Sequence, residues 1–463
     1  MAARARPFPP SSGRVALIDP IGGGPAAGPV PARAAANSTG LHRAAFACLA
    51  VSIPLSTLNA LRLSSSLSFG DPFLVLAGAL VGLGYLGRGL PRRAIPTWLP
   101  ISAAALLLAG LIAAFQGNVE ADLLPAVEFA GTLLGLPLVA AVLIDTPRRL
   151  ERVVEVWLLA ASLSALVGAA DLAAHLNIGL SLTGLDFVTY THRATGLTLQ
   201  PNHLGLVSAM ALPVALVRAI RPVGPRGELG PKLRNLGYAL ALGLGILVSG
   251  SRAGLLAVVV ALIALPLLQT ERHRVGQLFA IPLVVIGLLG VVVLDGSIAS
   301  SLGVITGSRL TGTAAGTSES NDYRITAYGT ALRQFADDPI VGQGFNVARV
   351  AHDIYFQLLQ AGGIVALAGF GLFVAGAFRA QREIDRRPDR VPGSDLAVAL
   401  TASLIVWLVN GTLQNELYDR YLYIPVALLL ALRQMNRRLP AAPRRQQGGA
   451  ARAASPGRPA RAS

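Results

Sequence analysis

Long apolar runs separated by short polar connections recur along most of the chain. The runs have the length of about 20 residues that a helix needs to cross a hydrocarbon core of about 30 Å. They lack the strict alternation of barrel strands, and a backbone in lipid must satisfy its own hydrogen bonds, so the pattern predicts α-helices. About twelve spans are predicted, at 44–61, 70–87, 96–115, 122–144, 153–174, 201–220, 235–250, 253–269, 276–294, 352–378, 395–412 and 419–436.

The composition supports a membrane protein rather than a soluble one. Hydrophobic residues make up 53% of the chain, charged residues 14%, and the mean hydropathy is +0.58, far more apolar than a typical soluble domain. We therefore predict an all-α polytopic membrane protein with its transmembrane domain at 44–436. Residues 1–43 and the basic residues 437–463 could not bury a core and are predicted to be disordered tails. The single cysteine, Cys48, excludes an internal disulfide framework and a cysteine metal cluster.

The distribution of positive charge predicts the topology. A net charge of +15 would suggest nucleic acid as the partner of a soluble protein, but here the arginines fall mostly in short loops and in the tails. The loops after the even-numbered spans carry many of them, for example Arg88, Arg92 and Arg93, so by the positive-inside rule these loops and both termini are cytoplasmic. The prediction is a multi-pass protein of the cytoplasmic membrane that contacts membrane lipids and no nucleic acid.

The odd-numbered loops then face outward, and the longest of them covers residues 295–351. Loops of that length in compact proteins are usually functional or disordered. Within it, apolar residues recur at helical spacing before a group of helix-ending residues. They are Ile325, Tyr328, Leu332 and Phe335, followed by Pro339, Gly342 and Gly344. We expect an amphipathic helix that lies on the outward-facing surface.

Arg252 breaks two local expectations in the short turn "SGSR" between two spans. It is a cation on the translocated side, and it follows Ser251, a residue typical of a helix N-cap, so its charge opposes the helix dipole. Guanidinium stays charged and binds phosphate oxygens in pairs, so several outward arginines suit a lipid-linked pyrophosphate. Alternatively, Arg252 snorkels to lipid headgroups or pairs with an acid such as Asp353.

Two further residues are candidates for chemistry. His352 opens the tenth predicted span, where histidine is often a simple boundary residue, but a neutral imidazole is also a natural general base for a sugar hydroxyl. Glu128 lies inside the fourth span and is either a proton or ion site or a buried partner for another helix. The sequence has no metal-ligand spacing, P-loop or dinucleotide-binding glycine pattern. The energy of a reaction would therefore come from an activated substrate.

Four segments together resemble the O-antigen ligase and polymerase superfamily. They are "RATGLTLQPNHLG", "SGSRAGLLA", "DYRITAYGTALRQFADDPIVGQGF" and "AHDIYFQLLQAGGI", within about residues 191–363. The resemblance implies a membrane-embedded, GT-C-like glycosyltransferase that is inverting, metal-independent and free of cofactors. Such enzymes take a glycan linked to undecaprenyl pyrophosphate at the outer face of the inner membrane. Ligases transfer it to a lipid A core sugar, and polymerases transfer it to another lipid-linked repeat unit.

The matching motifs carry roles over to individual residues by resemblance. These are Arg193, Arg252 and Arg324 for binding the pyrophosphate, His352 for activating the acceptor hydroxyl, and Asn202, Asp353 and Gly363 as supporting residues. Gly363 matches a family pattern in which a glycine follows the histidine after ten residues. The chain departs from the family at Asp353, where asparagine is usual, and at Tyr328, where leucine is usual.

Two other classes of function stay open. A polytopic carrier of a small anion such as bicarbonate would use Glu128 and the arginines as an ion pathway, with a substrate site near the membrane midplane. A non-catalytic scaffold would only dock a partner through the outer loop. The unusual residues concentrate at one surface, which favours the transferase. The sequence does not distinguish ligase from polymerase, nor does it identify the glycan or the acceptor.

Overall fold

The computed structural model describes residues 33–63, 67–86, 95–116, 119–174, 193–220, 229–268, 317–345, 351–387 and 391–438. Over these residues the chain forms twelve α-helices, one short 3₁₀-helix and no β-strand. The helices are α1 (Arg33–Thr57), α2 (Asp71–Tyr85), α3 (Trp98–Gln116), α4 (Val119–Leu143), α5 (Pro147–Ala174), α6 (Pro201–Ile220), α7 (Leu229–Ser249), α8 (Arg252–Leu268), α9 (Thr317–Asp337), α10 (Ile354–Asp385), α11 (Leu396–Gly411) and α12 (Ile424–Arg438). The 3₁₀-helix, Arg420–Tyr423, directly precedes α12.

Among the described residues, five helices are long and apolar enough to cross a membrane. They are Trp98–Gln116, Leu123–Leu143, Pro147–Ala174, Pro201–Ile220 and Ile354–Asp385. Three shorter apolar helices, α2, α8 and α11, accompany them. The chain is thus an all-α, multi-pass membrane protein, as the hydrophobic pattern predicts. The full set of twelve spans and the GT-C-like arrangement stay predictions, and the predicted span 276–294 lies outside the described residues.

Residues 1–32 and 439–463 of the predicted tails lie outside the described residues. Helix α1 begins at Arg33, ahead of the predicted tail boundary at residue 43. Helix α12 ends at Arg438, close to the predicted end of the last span. The disorder of the tails themselves stays a prediction.

Helix α6 is the most buried of the five long apolar helices, because 94% of its apolar stretch lies inside the protein. It packs against α5, α7, α8 and α11, and small residues let these helices approach closely. A Cβ added to Gly205 would lie 2.7 Å from the Cβ of Ser251, and one added to Gly245 would lie 2.6 Å from the Cβ of Ala165. This packing brings the start of α6, the end of α7 and the start of α8 together at one end of the bundle.

Helix α10 is broken at Gly362 and Gly363, where the backbone leaves the helical conformation. Gly363 has φ +59° and ψ −154°, a conformation that is open to glycine and strained for other residues. Four backbone hydrogen bonds of 2.8–3.2 Å join residues 339–344, after α9, to residues 360–365 around the break. The inserted segment therefore satisfies backbone groups that the break frees, and it fixes α9 to α10.

The predicted surface helix is present as α9, which ends before Pro339. Ala327 and Ala331 are buried on one side of it, whereas Ile325 and Leu332 are 68% and 46% exposed on another. An exposed apolar stripe of this kind is expected for a helix that lies against lipid.

Candidate functional site

The first part of the site forms where the loop before α6 meets the turn between α7 and α8. Arg193 donates from Nε to the carbonyl oxygen of Ser249 at 2.8 Å and from Nη2 to Asn202 Oδ1 at 2.5 Å. The backbone N–H of Ala194 donates to the carbonyl oxygen of Val248 at 3.0 Å. Arg193 is therefore held by both the end of α7 and the start of α6.

Arg252 is the first residue of α8, and its neighbour caps that helix. Ser251 Oγ accepts a hydrogen bond from the backbone N–H of Gly254 at 3.1 Å, which confirms the N-cap predicted from the sequence. Gly250 makes the preceding turn with φ +56°. Arg252 Nη2 donates to Asn321 Oδ1 on α9 at 3.2 Å. A helix start that also carries a guanidinium strongly favours an anionic ligand.

Asp353, the acid proposed from sequence as a partner for Arg252, is engaged elsewhere. It is the N-cap of α10, and its Oδ1 accepts from the backbone N–H groups of Tyr355 at 2.7 Å and Phe356 at 2.9 Å. Burial raises the pKa of Asp353, and these two hydrogen bonds act against that increase. The suggested Arg252–Asp353 pair is therefore wrong, because the carboxylate is used by the backbone of α10.

Arg193, Arg252, Arg324 and His352 line one cavity of about 420 Å³, together with Asn202. We call this the arginine cavity. Its four predicted residues come from four separate segments: the loop before α6, the start of α8, helix α9 and the residues just before α10. The described residues that line it include three guanidinium groups and no carboxylate. The arginine cavity is therefore positively charged and suited to an anion such as pyrophosphate.

The charge of Arg324 affects the protonation of His352. Arg324 Nε and His352 Nδ1 are both buried and have no hydrogen-bond partner among the described residues. Burial lowers the pKa of His352, and the positive charge of Arg324 lowers it further. Burial also lowers the pKa of Arg324, but a guanidinium stays protonated at neutral pH. His352 is thus neutral near pH 7, the state in which its ring can accept a proton.

The backbone at His352 is strained. Its φ of +50° makes it the one non-glycine residue with positive φ in the part of the chain that the structure describes. That conformation costs about 1–2 kcal/mol for a residue with a side chain, and such strain recurs at functional sites. The ring also meets Tyr323 edge to face, with 5.3 Å between the centroids. Backbone and aromatic contact together fix the position of the imidazole.

Of the three predicted supporting residues, only Asn202 lines the arginine cavity. Its Nδ2 donates to Gln414 Oε1 at 3.2 Å, and Gln414 is a lining residue that the sequence did not indicate. Asp353 instead caps α10, and Gly363 forms the break in that helix. Both positions shape the backbone around His352 and α9 rather than the cavity wall.

A second cavity, of about 390 Å³, is lined in part by residues close in sequence to those that line the arginine cavity. The residues that line it are Arg62, Leu124, Pro125, Glu128, Leu199, Gln200, His203, Gln357, Asn415, Glu416, Leu417, Tyr418, Asp419 and Arg420. We call it the acidic cavity. In it His203 Nε2 lies 2.7 Å from Glu416 Oε1, and His203 Nδ1 lies 2.6 Å from Asn59 Nδ2. Gln200 Nε2 also lies 2.7 Å from His203 Nε2, and Asp419 Oδ2 lies 3.5 Å from His203 Nδ1, so amide and carboxylate groups surround the ring.

The acidic cavity is the part of the site that the sequence did not predict. Nitrogen and oxygen atoms of His203, Glu416 and Asp419 lie within 4.8 Å of one another, a donor set that suits a cation as well as hydrogen bonds. Glu416 and Asp419 follow His203 by more than 200 positions. Only the tertiary fold brings them together, so no local spacing could have indicated the cluster.

Glu128, the acid inside the fourth predicted span, is half-buried and is an ion-pair partner for another helix. It accepts a hydrogen bond from Arg420 Nη1 at 2.8 Å, and Arg420 Nε also lies 2.8 Å from Asp71 Oδ1. The guanidinium therefore joins α4 and the start of α2 to the 3₁₀-helix before α12.

A comparison with known families agrees with the resemblance seen in the motifs. Residues 237–371 match the family model described as O-Antigen ligase, which confirms the predicted resemblance to the O-antigen ligase superfamily. The match contains Arg252, Arg324 and His352, whereas Arg193 and Asn202 precede it. No curated protein matches the chain.

Proposed function

We propose that the protein transfers a glycan from undecaprenyl pyrophosphate to a sugar hydroxyl of a glycan or glycolipid acceptor, at the outer face of the cytoplasmic membrane. The step belongs to surface polysaccharide assembly, as a ligase or a polymerase. The observation that carries the proposal is the arginine cavity, where three guanidinium groups and a neutral histidine line the same space. The family match supports it, because the matched residues contribute two of the arginines and the histidine.

The arginines would stabilise the leaving group. Pyrophosphate leaves readily when its growing negative charge is neutralised, and fixed donors do this best in a site shielded from water. Arg193 is held by Ser249 and Asn202, so it is pre-positioned. The unpartnered Nε of Arg324 is a donor that a phosphate oxygen would satisfy.

His352 would act as the general base. In the proposed reaction the acceptor oxygen attacks the anomeric carbon, the bond from that carbon to the pyrophosphate oxygen breaks, and His352 takes the hydroxyl proton. The products are the joined glycan and undecaprenyl pyrophosphate. A single displacement of this kind inverts the anomeric configuration. Because guanidinium groups supply the charge stabilisation, the scheme requires no metal ion.

The ion pair of Glu128 argues against the alternative function as an anion carrier. An anion pathway was expected to use this carboxylate together with the arginines, but Glu128 is paired with Arg420 away from the arginine cavity. The three arginines of the cavity instead lie in the loop before α6, at the start of α8 and on the surface helix α9.

The proposal is tested by glycan transfer from a lipid-linked donor in membranes. Replacing Arg324 with alanine is expected to lower transfer by about 10²–10³-fold, the usual effect of removing one charge-stabilising donor. The matched control is Arg333→Ala, because Arg333 lies on the same helix, is exposed and does not line the cavity. Equal transfer by the two variants would count against the proposal. Deleting the protein would separate the two roles: accumulated long polymer indicates a ligase, and accumulated single repeat units indicate a polymerase.

A further inference from the structure

Gln357 is a buried side chain with unused hydrogen-bonding groups. It is 0% exposed, it lines the acidic cavity, and neither its Nε2 nor its Oε1 has a partner among the described residues. Buried polar groups are almost always hydrogen-bonded in native proteins, and leaving them unpaired is costly. An amide left in this state beside a cavity indicates that a ligand completes it.

We propose that the acidic cavity binds a neutral sugar ring and that Gln357 hydrogen-bonds to its hydroxyl groups. Both amide atoms of Gln357 are unpartnered, so the ligand must offer an acceptor to Nε2 and a donor to Oε1. A hydroxyl group does both. A metal ion would occupy Oε1 alone and leave Nε2 unpaired, which favours the sugar over a cation held by His203, Glu416 and Asp419.

The other polar groups of the cavity fit the same ligand. Carboxylates such as Glu416 accept hydrogen bonds from hydroxyl groups. The two guanidinium groups are already engaged, Arg62 with Asp419 at 3.4 Å and Arg420 with Glu128 at 2.8 Å. An anionic sugar would be repelled by the carboxylates that line the cavity, so a neutral ring fits it better. The volume of about 390 Å³ lies at the small end of ligand pockets, about 300–1,000 Å³, as a single sugar unit requires.

The position of the cavity links it to the proposed reaction, and this inference rests on the proposed function for its biological meaning. The backbone N–H of Gln357 donates to the carbonyl oxygen of Asp353 at 2.9 Å, so Gln357 lies one helical turn beyond the histidine segment. Gln414 lines the arginine cavity and Glu416 lines the acidic one. A glycan in the acidic cavity would thus lie beside His352. Its ring would belong either to the acceptor or to the donor glycan.

Sugar binding is tested first on the full chain in detergent, by saturation-transfer NMR with methyl glucoside, methyl galactoside, N-acetylglucosamine and glucuronic acid as probes. We expect contact signals from at least one neutral sugar and weaker ones from glucuronic acid. Gln357→Leu should weaken the binding of that neutral sugar and raise its Kd about tenfold, since the substitution removes two hydrogen bonds. The melting temperature of the free protein should be unchanged or higher, because an unpaired buried amide is removed. The matched control is Gln381→Leu, a buried glutamine of the same helix outside the cavity.

The inference is overturned if no neutral sugar binds, if Gln357→Leu binds it as the wild type does, or if Mg²⁺ or Ca²⁺ alone raises the melting temperature through these residues. Should Gln357→Leu fail to fold, Gln357→Glu keeps the side-chain volume, removes the donor and should show the same loss. Transfer kinetics then identify the source of the ring. A higher KM for the acceptor alone indicates an acceptor sugar, and a higher KM for the donor alone indicates the donor glycan. Unchanged KM values in an active Gln357→Leu enzyme would refute the inference while leaving the transferase proposal intact.

Discussion

Replacing Gly363 with alanine tests whether the break in α10 is a fixed part of the site. A Cβ at this position would lie 2.4 Å from both the carbonyl carbon and the carbonyl oxygen of Ile340. The backbone conformation alone costs a non-glycine residue about 1–3 kcal/mol. If the segment 339–344 moves to relieve the overlap, its four backbone hydrogen bonds weaken, each of them contributing about 1 kcal/mol. We therefore expect Gly363→Ala to lower the free energy of unfolding by about 3–5 kcal/mol.

The assay is thermal unfolding of the purified protein in detergent, followed by tryptophan fluorescence, together with glycan transfer in membranes. Transfer should fall as well, because α9 carries Arg324 and is anchored to α10 through the break. Gly371→Ala is the matched control: it lies on the same helix, and its Cβ would meet nothing within 4 Å. That change should stabilise slightly, by about 0.5–1 kcal/mol. Equal melting temperatures and equal transfer rates for the two variants would refute the reasoning.

Two further predictions concern charge. Arg324→Gln removes a charge that lowers the pKa of His352, so that pKa should rise toward its ordinary value. In a plot of transfer rate against pH, the acidic limb should then move to higher pH. The control variant Arg333→Gln should leave the limb in place. Arg420→Met removes the partner of the half-buried Glu128 and of the buried Asp71, and should lower the unfolding free energy by about 3–5 kcal/mol. The double variant with Glu128→Gln should recover part of that loss in the same melting experiment.

Local features of the site could be read from the sequence because they depend on neighbouring residues. Ser251 caps α8 through its own side chain, and α9 follows from apolar spacing that ends before Pro339. The N-cap role of Asp353 could also have been predicted from the sequence. An aspartate just before "IYFQLL" is a typical N-cap, which would have excluded its pairing with Arg252 and placed the helix start at Ile354.

Other features depend on contacts between distant segments, which the hydrophobic pattern does not encode. The apolar runs predict spans, but they do not say that the start of α6 meets the turn before α8, which places Arg193 beside Arg252. The cluster of His203 and Glu416 arises only when α6 packs beside α11. Gly363 matched a motif, yet its role follows from the backbone of residues 339–344, which fills the break in α10.

The transfer rate of His352→Ala tests the central claim most directly. The measurement uses a lipid-linked glycan donor and membranes with equal amounts of folded wild-type and variant protein, at a pH where the neutral imidazole predominates. Loss of a general base should lower the rate by about 10²–10⁴-fold and leave the KM for the donor nearly unchanged, because the arginines that bind the pyrophosphate remain. Full transfer by His352→Ala would contradict the account.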